Sequence, residues 1–240
     1  MLFEWCLNSV LTMEERTNKD GKKRLQRALS VNDVYTLEKP TYRLSERWHA
    51  AFGEIDRTGV WIIWGKSGSG KTTFVLELCK ELARFGRVAY DSLEEGDSLT
   101  MKNAFIRVGM KDVARRVILL NRESIADLNE RLRRPKSPEI IVIDSLQYTR
   151  MRYAEYQRFK EAHPDKLLIF ISHATGDKPK GQAADAVMYD ATQKILIKGY
   201  VAISKGRFFG TKGRYVIWEE GAKRVWGEDL DSEIDKFIEK

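Results

Sequence analysis

The chain is predicted to be an α/β protein with a mostly parallel central sheet flanked by helices and an antiparallel C-terminal extension. Three observations carry this. A glycine-rich loop, Gly65-Lys66-Ser67-Gly68-Ser69-Gly70-Lys71-Thr72, sits between a short apolar run and a helically spaced one. From Val60 onward, apolar runs of strand length alternate with segments of helical period, the pattern of a parallel sheet covered on both faces. After about residue 190 the apolar runs become short and turn-linked, as antiparallel strands are.

The elements follow in order. Met1 to Leu11 carries Phe3, Leu7, Val10 and Leu11 on one helical face. Its Glu4, and the lack of a basic start or a small-residue cleavage site, argue against a signal peptide. Residues 12 to 30 are polar and basic, including Arg16, Lys22, Lys23, Arg24 and Arg27. They read as a solvated helix or mobile arm, with an arm for DNA or a protein partner as the alternative. Residues 31 to 58, with Tyr35, Tyr42, Trp48 and Phe52, read as an ordered lead-in that packs on the domain edge or on a neighbouring subunit. The expected division is therefore an arm and lead-in over residues 1–50 and a core over residues 51–240.

Val60-Trp61-Ile62-Ile63-Trp64 is β-branched and aromatic, as a buried strand should be. Thr72 to Phe85 has Val75, Leu78, Cys79, Leu82 and Phe85 at helical spacing, and Gly86 stops the helix. Val88-Ala89-Tyr90 begins the next strand, with a helix over Leu99 to Val108 after it. Val117 to Leu120 is a short strand and Ser124 to Leu132 a helix. Ile140 to Asp144 and Leu167 to Ile171 are fully apolar strands. Ile195 to Ile197, Tyr200 to Ile203 and Tyr215 to Trp218 make the expected antiparallel extension.

The glycine-rich loop meets G-x-x-x-x-G-K-[ST] at every fixed position. Its glycines let backbone N–H groups face a phosphate, and the following helix N-terminus adds partial positive charge. Gly65 to Thr73 is thus the expected nucleotide cradle. Lys71 is expected to reach the β- and γ-phosphates and Thr72 to hold Mg²⁺. Asp144 ends the most apolar strand, where a carboxylate joins the Mg²⁺ shell through water or simply caps the next helix. Glu94 and Glu95 end the second strand. Either carboxylate there could orient or deprotonate an attacking water, and either could be a solvated loop acid.

These residues resemble the RecA-like ATPases. The phosphate loop, a strand running into Ser92-Leu93-Glu94-Glu95-Gly96, and Ile143-Asp144-Ser145-Leu146-Gln147-Tyr148 carry the likeness over about residues 50 to 219. That superfamily of P-loop proteins includes recombinases, RadA-type and DnaB-type proteins and KaiC-like clock ATPases. The resemblance implies an ATP- and Mg²⁺-dependent hydrolase in which Glu94 is the catalytic glutamate, with Glu95 the fallback, and Asp144 the second metal-site acid. Lys205-Gly206-Arg207-Phe208 is similar to a K-x-R stretch in DnaB-type helicases and RadA-type proteins. By that likeness Lys205 and Arg207 act on the ATP of a neighbouring subunit. Gln182 to Tyr189 also looks like the helicase segment before the late strands. Where the family usually has glutamine or asparagine this chain has Ser172-His173, and His173 is a candidate γ-phosphate sensor or a structural histidine. In lacking the longer family members' N-terminal domains, the chain is similar to short RecA-core proteins of phages and mobile elements.

Two segments are candidates for nucleic acid. Tyr148 to Lys160 interleaves aromatic and basic residues, among them Arg150 and Arg152, which suits stacked bases and paired phosphates. Its Tyr156, Phe159 and His163 would instead pack inward if the segment is an amphipathic helix. Thr175 to Gln182, with Lys178 and Lys180, has the composition of a mobile basic loop. The resemblance places DNA-binding loops at both positions.

Charged residues make up 32% of the chain and the net charge is +7, so a polyanionic partner is favoured. No apolar run approaches a membrane span. Two cysteines without metal spacing, Cys6 and Cys79, fit a reducing cytoplasm. The expected protein is an oligomeric ATPase, in a ring or filament, acting on single-stranded DNA in recombination, annealing or replication. A compact helicase motor and a regulatory ATPase without DNA are the alternatives.

Overall fold

The computed structural model describes residues 27–206 and 210–238. The apolar face of Met1 to Leu11, Cys6, the basic run from Arg16 to Arg24, and Arg207 lie outside these described residues. The chain divides after Pro40 into two compact units. In the first, Ser30 caps the short helix α1 (Val31–Tyr35): its hydroxyl accepts the Asp33 N–H at 3.1 Å, and the Asp33 carboxylate accepts the Ser30 N–H at 2.7 Å.

The second unit begins with β1 (Thr41–Tyr42), α2 (Glu46–Phe52) and β2 (Ile55–Asp56), with β1 and β2 antiparallel. The core follows: β3 (Gly59–Gly65), α3 (Lys71–Leu82), β4 (Val88–Ser92), α4 (Leu99–Val108), β5 (Val117–Asn121), α5 (Ile125–Arg133) and β6 (Ile140–Asp144). Next come α6 (Leu146–Thr149), α7 (Tyr153–Ala162), β7 (Leu167–Thr175), β8 (Lys178–Pro179) and α8 (Gln182–Asp190). The chain ends in β9 (Gln193–Lys198), β10 (Val201–Ser204), β11 (Arg214–Val216), α9 (Glu219–Trp226) and α10 (Leu230–Ile238).

The central sheet runs β11-β10-β9-β3-β7-β6-β4-β5, with β8 paired to β7. Strands β3 to β7 and β9 are parallel, and β10 and β11 are antiparallel. The predicted fold class holds, with one shift: the segment at Ile195 pairs parallel to β3, so the antiparallel extension begins one strand later. Side-chain alternation explains the continuous apolar runs. Trp61, Ile63, Tyr90, Val142 and Ile169 bury on the face covered by α2, α3 and α4. Val60, Ile62, Trp64, Ile143 and Phe170 bury on the face covered by α5, α7 and α8. Strands wet on neither side have no reason to alternate with polar residues.

From Thr41 on, within the second unit, the lead-in is part of the core packing. Trp48 of α2 stacks on Tyr215 of β11 with ring centroids 4.3 Å apart, and also meets Phe52 and Phe74. Helices α9 and α10 were not anticipated; they bury Ala222 and Ile234 against Val201 and Ile203.

Candidate active site

The carboxyl ends of the parallel strands gather the predicted residues. In register, Gly65 lies beside His173 and Ser92 beside Asp144. Such strand ends are where open parallel sheets form sites. Gly65 must be glycine because a Cβ there would meet the Ile197 carbonyl of β9 and, at 2.8 Å, the Ser69 hydroxyl. Gly70 has φ +97° in the left-handed region, and a Cβ would lie 3.2 Å from the Tyr200 ring. The loop is closed by the Ser69 hydroxyl, which donates to the Lys66 carbonyl at 2.7 Å.

The Lys71 ammonium donates to the Gly65 and Lys66 carbonyls, both at 2.9 Å, and so folds over the loop. Burial pushes its pKa below the ordinary lysine value, while Asp144 and Glu94 pull it back up. Thr72 follows it in the first turn of α3. The Thr73 hydroxyl accepts a hydrogen bond from Arg107 of α4 at 3.1 Å. Arg107 escaped the sequence reading, as nothing in its own helix pattern marks it.

Asp144 accepts a hydrogen bond from the Tyr90 hydroxyl, which reaches it diagonally from the adjacent strand β4. Burial raises the Asp144 carboxyl to about 6; Glu94 adds to the rise, and the Tyr90 bond and Lys71 oppose it. A cation beside it would favour the ionised form. The Thr72 hydroxyl and the Asp144 carboxylate are hard oxygen donors, the set that holds Mg²⁺ once phosphate and water complete the shell. The residues present therefore fit a Mg²⁺–nucleotide.

The turn after β4 is pinned to the end of β6, because the Leu93 and Glu94 N–H groups both donate to the Asp144 carbonyl, at 2.6 and 3.1 Å. This aims Glu94 across the site. Its carboxylate lies 2.8 Å from His173 Nε2 and accepts the Ser145 hydroxyl at 3.3 Å. Glu95 instead lies 3.5 Å from the hydroxyl of Ser98, the N-cap of α4. Arg122 donates to the backbone carbonyls of both glutamates.

Strand β7 runs past the expected end at Ile171, as far as Thr175. The segment expected as a mobile basic loop opens instead with a two-residue turn, Gly176-Asp177, between β7 and β8. Asp177 holds that turn down: its carbonyl accepts Trp64 Nε1 at 3.0 Å and its carboxylate pairs with Lys198 at 3.0 Å. Lys178 and Lys180 are exposed on it. Gln147 of α6 ties the two candidate segments together. Its amide donates to the Ser172 hydroxyl at 2.9 Å and the Lys180 carbonyl at 2.7 Å, and accepts the His173 N–H at 3.2 Å. Arg150, in the left-handed region, and Arg152 are exposed beside the partly exposed Tyr148 and Tyr153. Tyr156, Phe159 and His163 are buried, so the inward half of that segment is core.

Lys205 lies one residue beyond β10, its ammonium 5.0 Å from the Phe237 ring of α10. It is not brought to this chain's own phosphate loop by any hydrogen bond among the described residues; Arg207 falls outside them.

No helix among the described residues is long and apolar enough to cross a membrane. The comparison with curated proteins returned no match. A family model does match, over residues 61–196, from β3 into β9, which covers the loop, Glu94, Asp144 and His173. The chain belongs to the ATPase family associated with various cellular activities (AAA) and is a nucleotide-hydrolysing P-loop protein.

Proposed function

We propose that the chain is a RecA-like, Mg²⁺-dependent ATPase that assembles into a ring or filament and couples ATP turnover to single-stranded DNA. The observation that carries this reading is the 2.8 Å contact between His173 and Glu94. It joins the strand that leads to Lys178 and Lys180 directly to the carboxylate beside Lys71. Gln147 extends the same connection to the segment holding Arg150 and Arg152. A strand bound across these basic residues would act on the glutamate through two side chains, without a long-range rearrangement.

In this reading Lys71 binds and orients the phosphates, and Thr72 and Asp144 hold the metal, which when bound neutralises charge on them. Glu94 orients the attacking water or takes its proton at a carboxylate oxygen, with Glu95 as the fallback. His173 and Ser145 fix the rotamer of Glu94. Exposed Tyr148 and Tyr153 offer faces for bases and the four cations offer charge to phosphates. Lys205 and Arg207 serve the neighbouring subunit's nucleotide. Residues 1–50 form an arm and lead-in ahead of the ATPase core, and the setting is cytoplasmic DNA recombination, annealing or replication, as in a phage or mobile element.

The test is ATP turnover with and without a single-stranded oligonucleotide, with oligomer size measured in the same samples. Stimulation in an assembled species is expected. Equal turnover in both, by an assembled protein that does not bind the oligonucleotide, would favour a regulatory ATPase instead.

A further inference from the structure

We propose that the face at the amino-terminal ends of β4 and β5, opposite the nucleotide site, is a second nucleic-acid surface that grips the phosphate backbone of a duplex. Two adjoining cavities lie there. One, of about 220 Å³, is lined by Arg87, Arg115, Arg116 and Lys136, together with Arg131 and Arg134. The other, of about 620 Å³, shares Arg115 and Arg116 and adds Arg84 and Lys111. Among the described residues that line the pair, one carries a carboxylate, Asp112.

Several of the cations here are paired. Arg84 pairs with Glu81, Arg131 with Glu123, Arg134 with Glu130, and Asp112 with Lys80. Arg87, Lys111, Arg115, Arg116 and Lys136 make no ion pair among the described residues. Glu139, just before β6, puts a carboxylate at this face, where it accepts the Arg87 backbone N–H at 2.7 Å and takes part in no ion pair among the described residues. Five cations without a side-chain ion pair still outnumber it, repel each other and raise a local positive potential that a polyanion relieves. Two of them are already held in place. Arg116 donates to the Ala83 carbonyl at 3.3 Å, and Arg87 to the Ser137 carbonyl at 3.1 Å and to that of Lys136. A guanidinium carries five donors, so both keep donors for phosphate oxygens in the forked geometry that arginine offers.

The lining also selects the ligand. Among the described residues no aromatic side chain lines either cavity. The stacking that single-strand binding uses is therefore missing here, whereas Tyr148 and Tyr153 supply it at the other end. What remains is sequence-independent contact to a charged backbone, which a duplex presents at regular spacing. The strands are parallel, so this face and the turn that carries Glu94 lie at opposite ends of β4, separated by roughly 13 Å of strand. The proposal does not depend on the DNA reading of the loops near Arg150 and Lys178.

The test uses the full chain with Lys111, Arg115 and Lys136 all replaced by alanine. All three are exposed and make no side-chain hydrogen bond among the described residues. A 30-base-pair duplex is titrated by fluorescence anisotropy across a salt series. The slope of log affinity against log salt should flatten by about 2 to 3, because about 0.9 counterion is released per phosphate contact. Affinity near 0.1 M salt should fall at least tenfold, while basal ATP turnover and the unfolding midpoint stay unchanged. Replacing the three by lysine or arginine of the opposite type should restore the slope. An Arg150→Ala, Arg152→Ala, Lys178→Ala, Lys180→Ala variant should keep most duplex binding. Unchanged duplex affinity and slope in the first variant would overturn the proposal. So would duplex binding that only the second variant removes. A triple-alanine protein that keeps duplex but loses tripolyphosphate or anionic phosphatidylserine vesicles would also overturn it, naming a free-phosphate or membrane site instead.

Discussion

Replacing His173 with alanine tests whether that side chain positions Glu94. The contact at 2.8 Å is between a ring nitrogen and a carboxylate, both a little over one third exposed at 36% and 38%. A hydrogen bond to a charged group contributes about 1.5–3 kcal/mol when shielded. Solvent competition at this exposure reduces that to about 1 kcal/mol. Ser145 still donates to the same carboxylate at 3.3 Å, so Glu94 keeps one tether. A loss of about 1 kcal/mol of positioning corresponds to a fall of about fivefold in kcat. KM for ATP should change little, because Lys71 and the loop are untouched. Glu94→Gln should fall much further, by about 10² to 10⁴, since the base itself is lost. His173→Gln keeps an N–H donor of similar reach and should recover most of the activity. Steady-state turnover of the three variants, with and without single-stranded DNA, reads all of this. In His173→Ala the stimulation by DNA should shrink along with kcat. If His173→Ala keeps full kcat and full stimulation, the coupling through this contact is wrong. If it lowers only thermal stability, the histidine is structural.

Three further outcomes are expected. Asp91 is fully buried, its Oδ2 has no hydrogen-bond partner among the described residues, and burial raises its carboxyl to about 7 from an ordinary 3.8. The native state then holds a proton that the unfolded chain releases, so stability falls as pH rises from about 4 to 7 and levels off above. Asp91→Asn should therefore raise the unfolding midpoint by several degrees at pH 8 and hardly at all at pH 4, which calorimetry at both values would check. Trp48→Ala removes the ring that joins α2 to Phe74 and Tyr215 and should cost about 3–5 kcal/mol in urea unfolding; a loss under 1 kcal/mol would mean the lead-in packs only loosely. Arg207→Ala and Glu94→Gln, each inactive alone, should regain part of the turnover when mixed, as arginine fingers acting between subunits raise turnover by about 10³ to 10⁵; no recovery in assembled mixtures refutes the trans role.

Local rules made the phosphate loop legible. Its glycines, Lys71 and Thr72 act through backbone geometry within one strand–loop–helix, so spacing alone reveals them. The same holds for the parallel sheet, because strands buried on both faces must be apolar throughout, and for Asp144 at the end of such a strand. Contacts between segments distant in the chain were not legible. Tyr90 meets Asp144 only because β4 and β6 pair in a register that places Ser92 beside Asp144. Gln147 lies in an ordinary helical turn until β7 and β8 come to it. The choice between Glu94 and Glu95 as the residue facing His173 depends on how the turn after β4 is pinned to the Asp144 carbonyl, since neighbours one residue apart point differently. The basic face shows the same division most clearly. Arg87, Lys111, Arg115 and Lys136 are unremarkable charges in sequence, spread over 50 residues, and only the parallel alignment of β4, β5 and β6 brings them to one end of the sheet. Sequence determines which residues can bind a phosphate or fill a core, because those properties are local; which of them meet is decided by strand register and helix packing, because those are set by the whole chain at once.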